Sequence, residues 1–186
     1  MKNEFVARRL DVKAFARAGG ELAGREPLAR FSRLAAEAVG TIEGREVGWS
    51  ARGEWRERAG GSGQPWLHLM ADASLPMTCQ RCLSPVDVAL DVDRAFRFVA
   101  DEATAEAEDD EAEEDVLALE RDFDLLALVE DELLMALPVV SRHETCPAPL
   151  KMSVADRGAE AAPGEVEQAK PNPFAALAQL KGGKER

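Results

Sequence analysis

Apolar side chains recur every second position from about residue 45 to residue 99, and with helical spacing on either side of that stretch. Val47, Trp49, Ala51 and Trp55 share one side of a first strand. The break AGGSGQP follows. Leu67, Leu69, Ala71, Ala73 and Leu75 then line one face of a second strand, with Trp66, His68, Met70, Asp72 and Ser74 on the other. Val86, Val88, Leu90, Val92, Phe96 and Phe98 share one parity and predict a third strand over 86–99, in which Arg94 is discordant and marks an expected bulge. Three successive strands with short connections argue for an antiparallel meander, with barrel-like closure as one form of it. Helices back the sheet, so the expected fold class is α+β.

Helix signals flank this region. Asp11 suits an N-cap, Val12, Phe15 and Ala16 mark one face, and Gly19-Gly20 give a stop, predicting a helix over about 12–18. A second begins near Pro27, with Leu28, Phe31, Leu34, Ala35 and Ala38 at helical spacing. Val116, Leu117 and Leu119 suggest a brief strand. Asp124 can cap a helix from Leu125 to Leu137 that Pro138 ends. Its stripe of Leu125, Leu126, Val129, Leu133 and Leu137, widened by Leu128, Leu134 and Met135, predicts the most buried helix of the fold.

Residues 101–115 read as a flexible acidic loop, because so charged a segment buries too little apolar surface to offset its ordering entropy. After Cys146 the spacing loses its period, so residues 1–146 are expected to form one domain and 147–169 a linker rich in Ala, Pro, Gly and charge. The last stretch, 170–186, reads as a flexibly tethered helical motif with Phe174, Leu177 and Leu180 on one side and Gly182-Gly183 at its end. It is too short to hold a helix alone in water, so it is expected to lean on a groove of a partner or else on its own domain.

The net charge of -12 over 186 residues would argue against nucleic acid if it were spread evenly. It is not. Residues 101–124 hold thirteen acids and one Arg, and the remainder carries 22 acids and 22 bases. Steering depends on where charge sits, so contact with RNA is not excluded. No apolar run approaches the roughly 18 to 20 residues of a membrane span, and the first residues lack a secretory pattern. A cytoplasmic protein with neither membrane nor DNA as partner is expected, and three cysteines fit a reducing compartment better than a disulfide framework.

Cys79-Gln-Arg-Cys82 has the spacing by which a tight turn presents two thiolates to one zinc, and His143-Glu-Thr-Cys146 offers a second pair about 60 residues on. Together they would form a Cys3His site. The same residues also suit an unmetallated turn, and a redox pair would need a helix, not a strand, after the CxxC. Glu130-Asp131-Glu132 spread over about 200° of helix and cannot converge on one atom, so they read as a solvated face or a handle for a basic partner. His68 reads as structural. Trp49, Trp55 and Trp66 suit packing more than base stacking.

CQRCLSPV, then DLLALVEDELLMALPVVSRH with a nearby Cys, then KPNPFAALAQLK, in that order and spacing, resemble the YceD family of bacterial and plastid proteins linked to accumulation of large-subunit ribosomal RNA. The resemblance implies a non-enzymatic ribosome-biogenesis factor supporting synthesis, processing or stability of 23S rRNA. Expected partners are a ribosomal protein, an assembly factor or the rRNA precursor. The competing class is a zinc- or thiol-dependent hydrolase or redox enzyme, against which stands the lack of a nucleophile–base pair or a Gly-rich phosphate loop. Candidate partner-binding residues are Glu130, Asp131, Glu132, Phe174, Leu177 and Leu180, and no catalytic or organic-cofactor residue is assigned.

Overall fold

A computed structural model describes residues 5–57, 63–109 and 111–147. The C-terminal motif and all of the expected linker but Pro147 lie outside them. Helix α1 (Val12–Arg17) starts where the Asp11 carboxylate accepts the Ala14 N–H at 2.9 Å. It ends at Gly19, whose φ of 58° supplies the left-handed turn. Strand β1 (Glu21–Pro27) follows, then a 3-10 turn (Leu28–Arg30) and helix α2 (Ser32–Ala36). Three long strands come next: β2 (Glu46–Arg56), β3 (Gln64–Thr78) and β4 (Pro85–Val99). Helix α3 (Glu102–Asp109), strand β5 (Asp115–Ala118) and helix α4 (Leu125–Met135) complete the described elements.

The strands form one open sheet in the order β1-β2-β3-β4-β5. The first four are antiparallel, and β5 joins parallel to β4. The fold is therefore α+β as expected, with two corrections. The sheet is mixed, because β5 is reached through the α3 crossover that a parallel neighbour requires. It is also not closed into a barrel, since β1 and β5 stand at opposite edges.

One face of the sheet is the core. Leu67, Leu69, Leu75, Leu90, Phe96 and Phe98 pack with Phe15 of α1, Leu34 of α2 and Leu125, Val129 and Leu133 of α4 in a single cluster. Asp124 caps α4 by accepting the N–H groups of Leu126 and Ala127 at 3.0 and 3.1 Å. The helix ends two residues before the expected Leu137, and Met135, assigned to its apolar stripe, is 81% exposed.

Two expectations fail for electrostatic reasons. Arg94 marks no bulge, because the β3–β4 register runs unbroken from Trp66↔Arg97 to Thr78↔Pro85. The arginine keeps its inward parity near the β5 edge and pairs there with Asp115. The acidic stretch is not a free loop, since most of it is α3. Asp101 accepts the Thr104 N–H at 2.9 Å, and Ala105 packs with Val99 and Val116 in a small second core. Arg97, whose side chain is only 9% exposed, binds Glu108 and Glu114, the latter at 2.5 Å. One base from outside the run thus pairs with two of its acids.

Replacing Arg97 with Met should leave Glu108 and Glu114 without their counter-charge. The expected loss is about 2 kcal/mol in denaturant unfolding, below the 3–5 of a fully buried pair because both acids reach water. The hydrogen bond from Arg97, opposed by partial burial, holds the Glu114 carboxyl below its ordinary 4.5. Its stabilisation is present above that value and is lost as pH falls through the lowered folded one. Wild-type stability should therefore fall more steeply than that of Arg97→Met on acidification below about pH 4.5.

Candidate metal centre

Between β3 and β4 the chain turns within six residues, Cys79 to Ser84. The Cys79 N–H donates to the Ser84 carbonyl at 2.9 Å, and the Leu83 N–H donates back to the Cys79 carbonyl at 2.8 Å. Leu83 sits at φ 60°, left-handed backbone usually reserved for glycine. This tight turn points both cysteines of the CxxC the same way.

The second pair arrives after α4. Ser141, 5% exposed, donates its hydroxyl to the Thr78 carbonyl at 2.7 Å, and its own carbonyl accepts the Gln80 N–H at 2.8 Å. These two bonds lay residues 141–146 against the turn. The Sγ atoms of Cys79, Cys82 and Cys146 and a ring nitrogen of His143 all lie within 4.8 Å of one another. Cys82 Sγ and His143 Nδ1 are 3.5 Å apart. Bonds of about 2.3 Å to sulfur and about 2.0 to 2.1 Å to nitrogen make the edges of a tetrahedral site roughly 3.6 to 3.8 Å, so a small contraction would seat one ion.

The surroundings bias the donors. Burial raises the Cys79 thiol, but backbone N–H groups of Cys82, His143 and Arg81, with the His143 ring, pull it down further, to about 5. Ser84, through hydroxyl and backbone, lowers Cys82. His143 is raised, chiefly by its bond to Cys79 and against the effect of burial. Cys146 is raised by burial although Arg81 opposes the shift. The Arg81 Nε–H donates to Cys146 Sγ at 3.0 Å, and its terminal amino group donates to the carbonyls of His143 and Glu144 at 2.9 and 3.1 Å. Arg81, inside the first pair, therefore clasps the second.

This donor set has a definite chemistry. Three sulfurs and one imidazole suit zinc, and an ion held by all four would have no position left for water or substrate, as in structural zinc centres. Of the two thiols held below their ordinary value, Cys79 is fully buried and Cys82 half-buried.

Other candidates fall elsewhere. Glu130 accepts the backbone N–H groups of Arg33 and Leu34 at 2.7 and 3.2 Å, capping the N-terminus of α2, and with Asp131 it binds the Arg33 guanidinium. Both are thus engaged within the chain. Burial raises the carboxyl of Glu132, with nearby Arg94 opposing. His68 pairs with Asp93 at 2.6 Å. Trp49 is buried, while Trp55 and Trp66 lie under the guanidinium groups of Arg17 and Arg56. Phe174, Leu177 and Leu180 lie outside the described residues. Sequence reasoning missed Arg81 and Ser141. The first was visible only as a base within the CxxC, and the second had no local signal.

Fold and site together define a class: an open α+β sheet whose central hairpin carries a Cys3His cluster at its tip. The family model described as Large ribosomal RNA subunit accumulation protein YceD matches residues 67–181, from the start of the buried part of β3 through both cysteine pairs, and the chain belongs to that family. It is similar to the protein of that name from Haemophilus influenzae (strain ATCC 51907 / DSM 11121 / KW20 / Rd), at 35% identity over 107 residues. That alignment takes in 56% of this chain and 59% of the relative, so the chain spans about three-fifths of that protein's length. No solved structure matches it. Among the described residues no helix is long and apolar enough to cross a membrane.

Leu83→Gly should remove the backbone strain of the turn while leaving its hydrogen bonds in place. A gain of about 0.5 to 1 kcal/mol in thermal or denaturant unfolding is expected, and a loss would show that the Leu83 side chain stabilises the fold.

Proposed function

We propose that this protein is a non-enzymatic ribosome-biogenesis factor that supports synthesis, processing or stability of 23S rRNA by binding a ribosomal protein, an assembly factor or the rRNA precursor. Membership of the family over residues 67–181 carries this reading. The four-donor cluster, which has no room for a substrate ligand, supports binding over catalysis. In this reading Cys79, Cys82, His143 and Cys146 hold one zinc, and the ion fastens the chain after α4 to the β3–β4 turn. Residues 147–169 serve as a tether, and Phe174, Leu177 and Leu180 of the C-terminal motif engage the partner.

Depleting the protein in its host should lower 23S relative to 16S rRNA and leave a deficit of large subunits in sucrose gradients. Unchanged subunit profiles would overturn the functional assignment. Protein purified without chelators should contain about one zinc per chain by elemental analysis. Cys82→Ser should abolish that content and lower stability on the order of several kcal/mol, because metal binding at such a site is coupled to folding. Metal-free wild-type protein of unchanged stability would remove zinc from the account.

A further inference from the structure

The helices α1, α2 and α4 pack on one face of the sheet, and on the other face α3 covers only the β4–β5 end, where Ala105 meets Val99 and Val116 and Glu108 binds Arg97. A groove of about 750 Å³ runs across it. Ala23, Ser50 and Met70 form its floor, with Met70 48% exposed, and Asp72, Asp91 and Asp93 form the wall on β3 and β4. Arg25 stands at the opposite rim, on the edge strand.

The acidic wall is arranged against the fold's own interest. Asp72 and Asp91 are direct cross-strand neighbours, a like-charge pairing that destabilises a sheet. Among the described residues neither has an ion-pair partner, whereas Asp93 has His68 and Asp87, beyond Ala89 on the same face of β4, has Arg45. A side chain at Gly48, opposite Asp72 on β2, would collide with the Asp72 carboxylate, so the glycine leaves that carboxylate room to lie over the floor. The exposed Met70 beside them offers an adaptable apolar contact.

An occupant must be basic to relieve the opposed carboxylates and must offer apolar stems to cover Met70. RNA meets neither condition. Extended lysine- or arginine-rich chain meets both, because its methylene stems cover apolar surface while the cationic heads reach the acids. We infer that this groove is the docking site for an extended basic segment of a protein partner. The inference rests on the proposed role in ribosome biogenesis only for the partner's setting, and it selects protein over RNA among the partners proposed there.

The test uses the full chain, a fluorescein-labelled peptide of alternating arginine and leucine, and a labelled single-stranded RNA oligonucleotide of similar length. Asp72→Asn/Asp91→Asn should raise the melting temperature by removing the like-charge pair, yet weaken peptide binding by about tenfold or more. A Glu102→Gln/Glu106→Gln variant of the acidic helix should change peptide binding by less than about twofold, and RNA should bind more weakly than the peptide. Equal weakening by both variants would reduce the effect to net charge and overturn the inference, as would unchanged binding in the sheet variant or tighter binding of RNA. Co-sedimentation with large-subunit precursor particles separates this inference from the broader role. Retention of Asp72→Asn/Asp91→Asn on the particles at wild-type level overturns the groove assignment alone, whereas failure of the wild type to co-sediment removes the ribosomal setting and leaves peptide binding to be judged by the first assay.

Discussion

The unbroken pairing of β3 with β4 determines where everything else in the described fold can sit. A pleated strand alternates its side chains between two faces, and a slip of one residue would exchange them. Held in register from Trp66↔Arg97 to Thr78↔Pro85, the hairpin turns Leu67, Leu69, Leu75, Leu90 and Phe96 inward and Asp72, Asp91 and Asp93 outward. Its turn places Cys79 and Cys82 at one end, and its open end brings Arg97 beside the acidic segment. Core, cysteine cluster and acidic helix are thus three consequences of one register.

The two ends are fastened by different physics. At the open end a nearly buried guanidinium collects two carboxylates, and the crossover helix lets β5 add to the sheet in parallel. At the turn end the fastening is polar. Two hydrogen bonds through Ser141 and the clasp of Arg81 bring in the chain after α4, and soft donors converge there.

Much of this was legible in the chain. The alternation of Val47 to Phe98 gave three strands and their inward faces, Asp11 and Asp124 gave two helix starts, and the spacing of Cys79, Cys82, His143 and Cys146 named the cluster. Strand β1 escaped because its only large inward apolar residue is Leu22, and a glycine and a terminal proline suit an edge position but carry little strand signal. Helix α3 escaped because composition counts charge within a window, while the neutralising Arg97 lies outside it. Glu130 and Asp131 looked like free acids since their partner, Arg33, is nearly a hundred residues away. Long-range ion pairs leave no local periodicity to read.

A turn and a distant segment, brought together by that register, are proposed to form one four-donor metal site. X-ray absorption at the zinc edge, on protein purified without chelators, reads the donors directly. The proposed site should show a first shell of three sulfurs at about 2.3 Å and one nitrogen at about 2.0 to 2.1 Å. A shell with two sulfurs and the rest oxygen or nitrogen from solvent would contradict it, because the ion would then be held by the Cys79–Cys82 turn without Cys146.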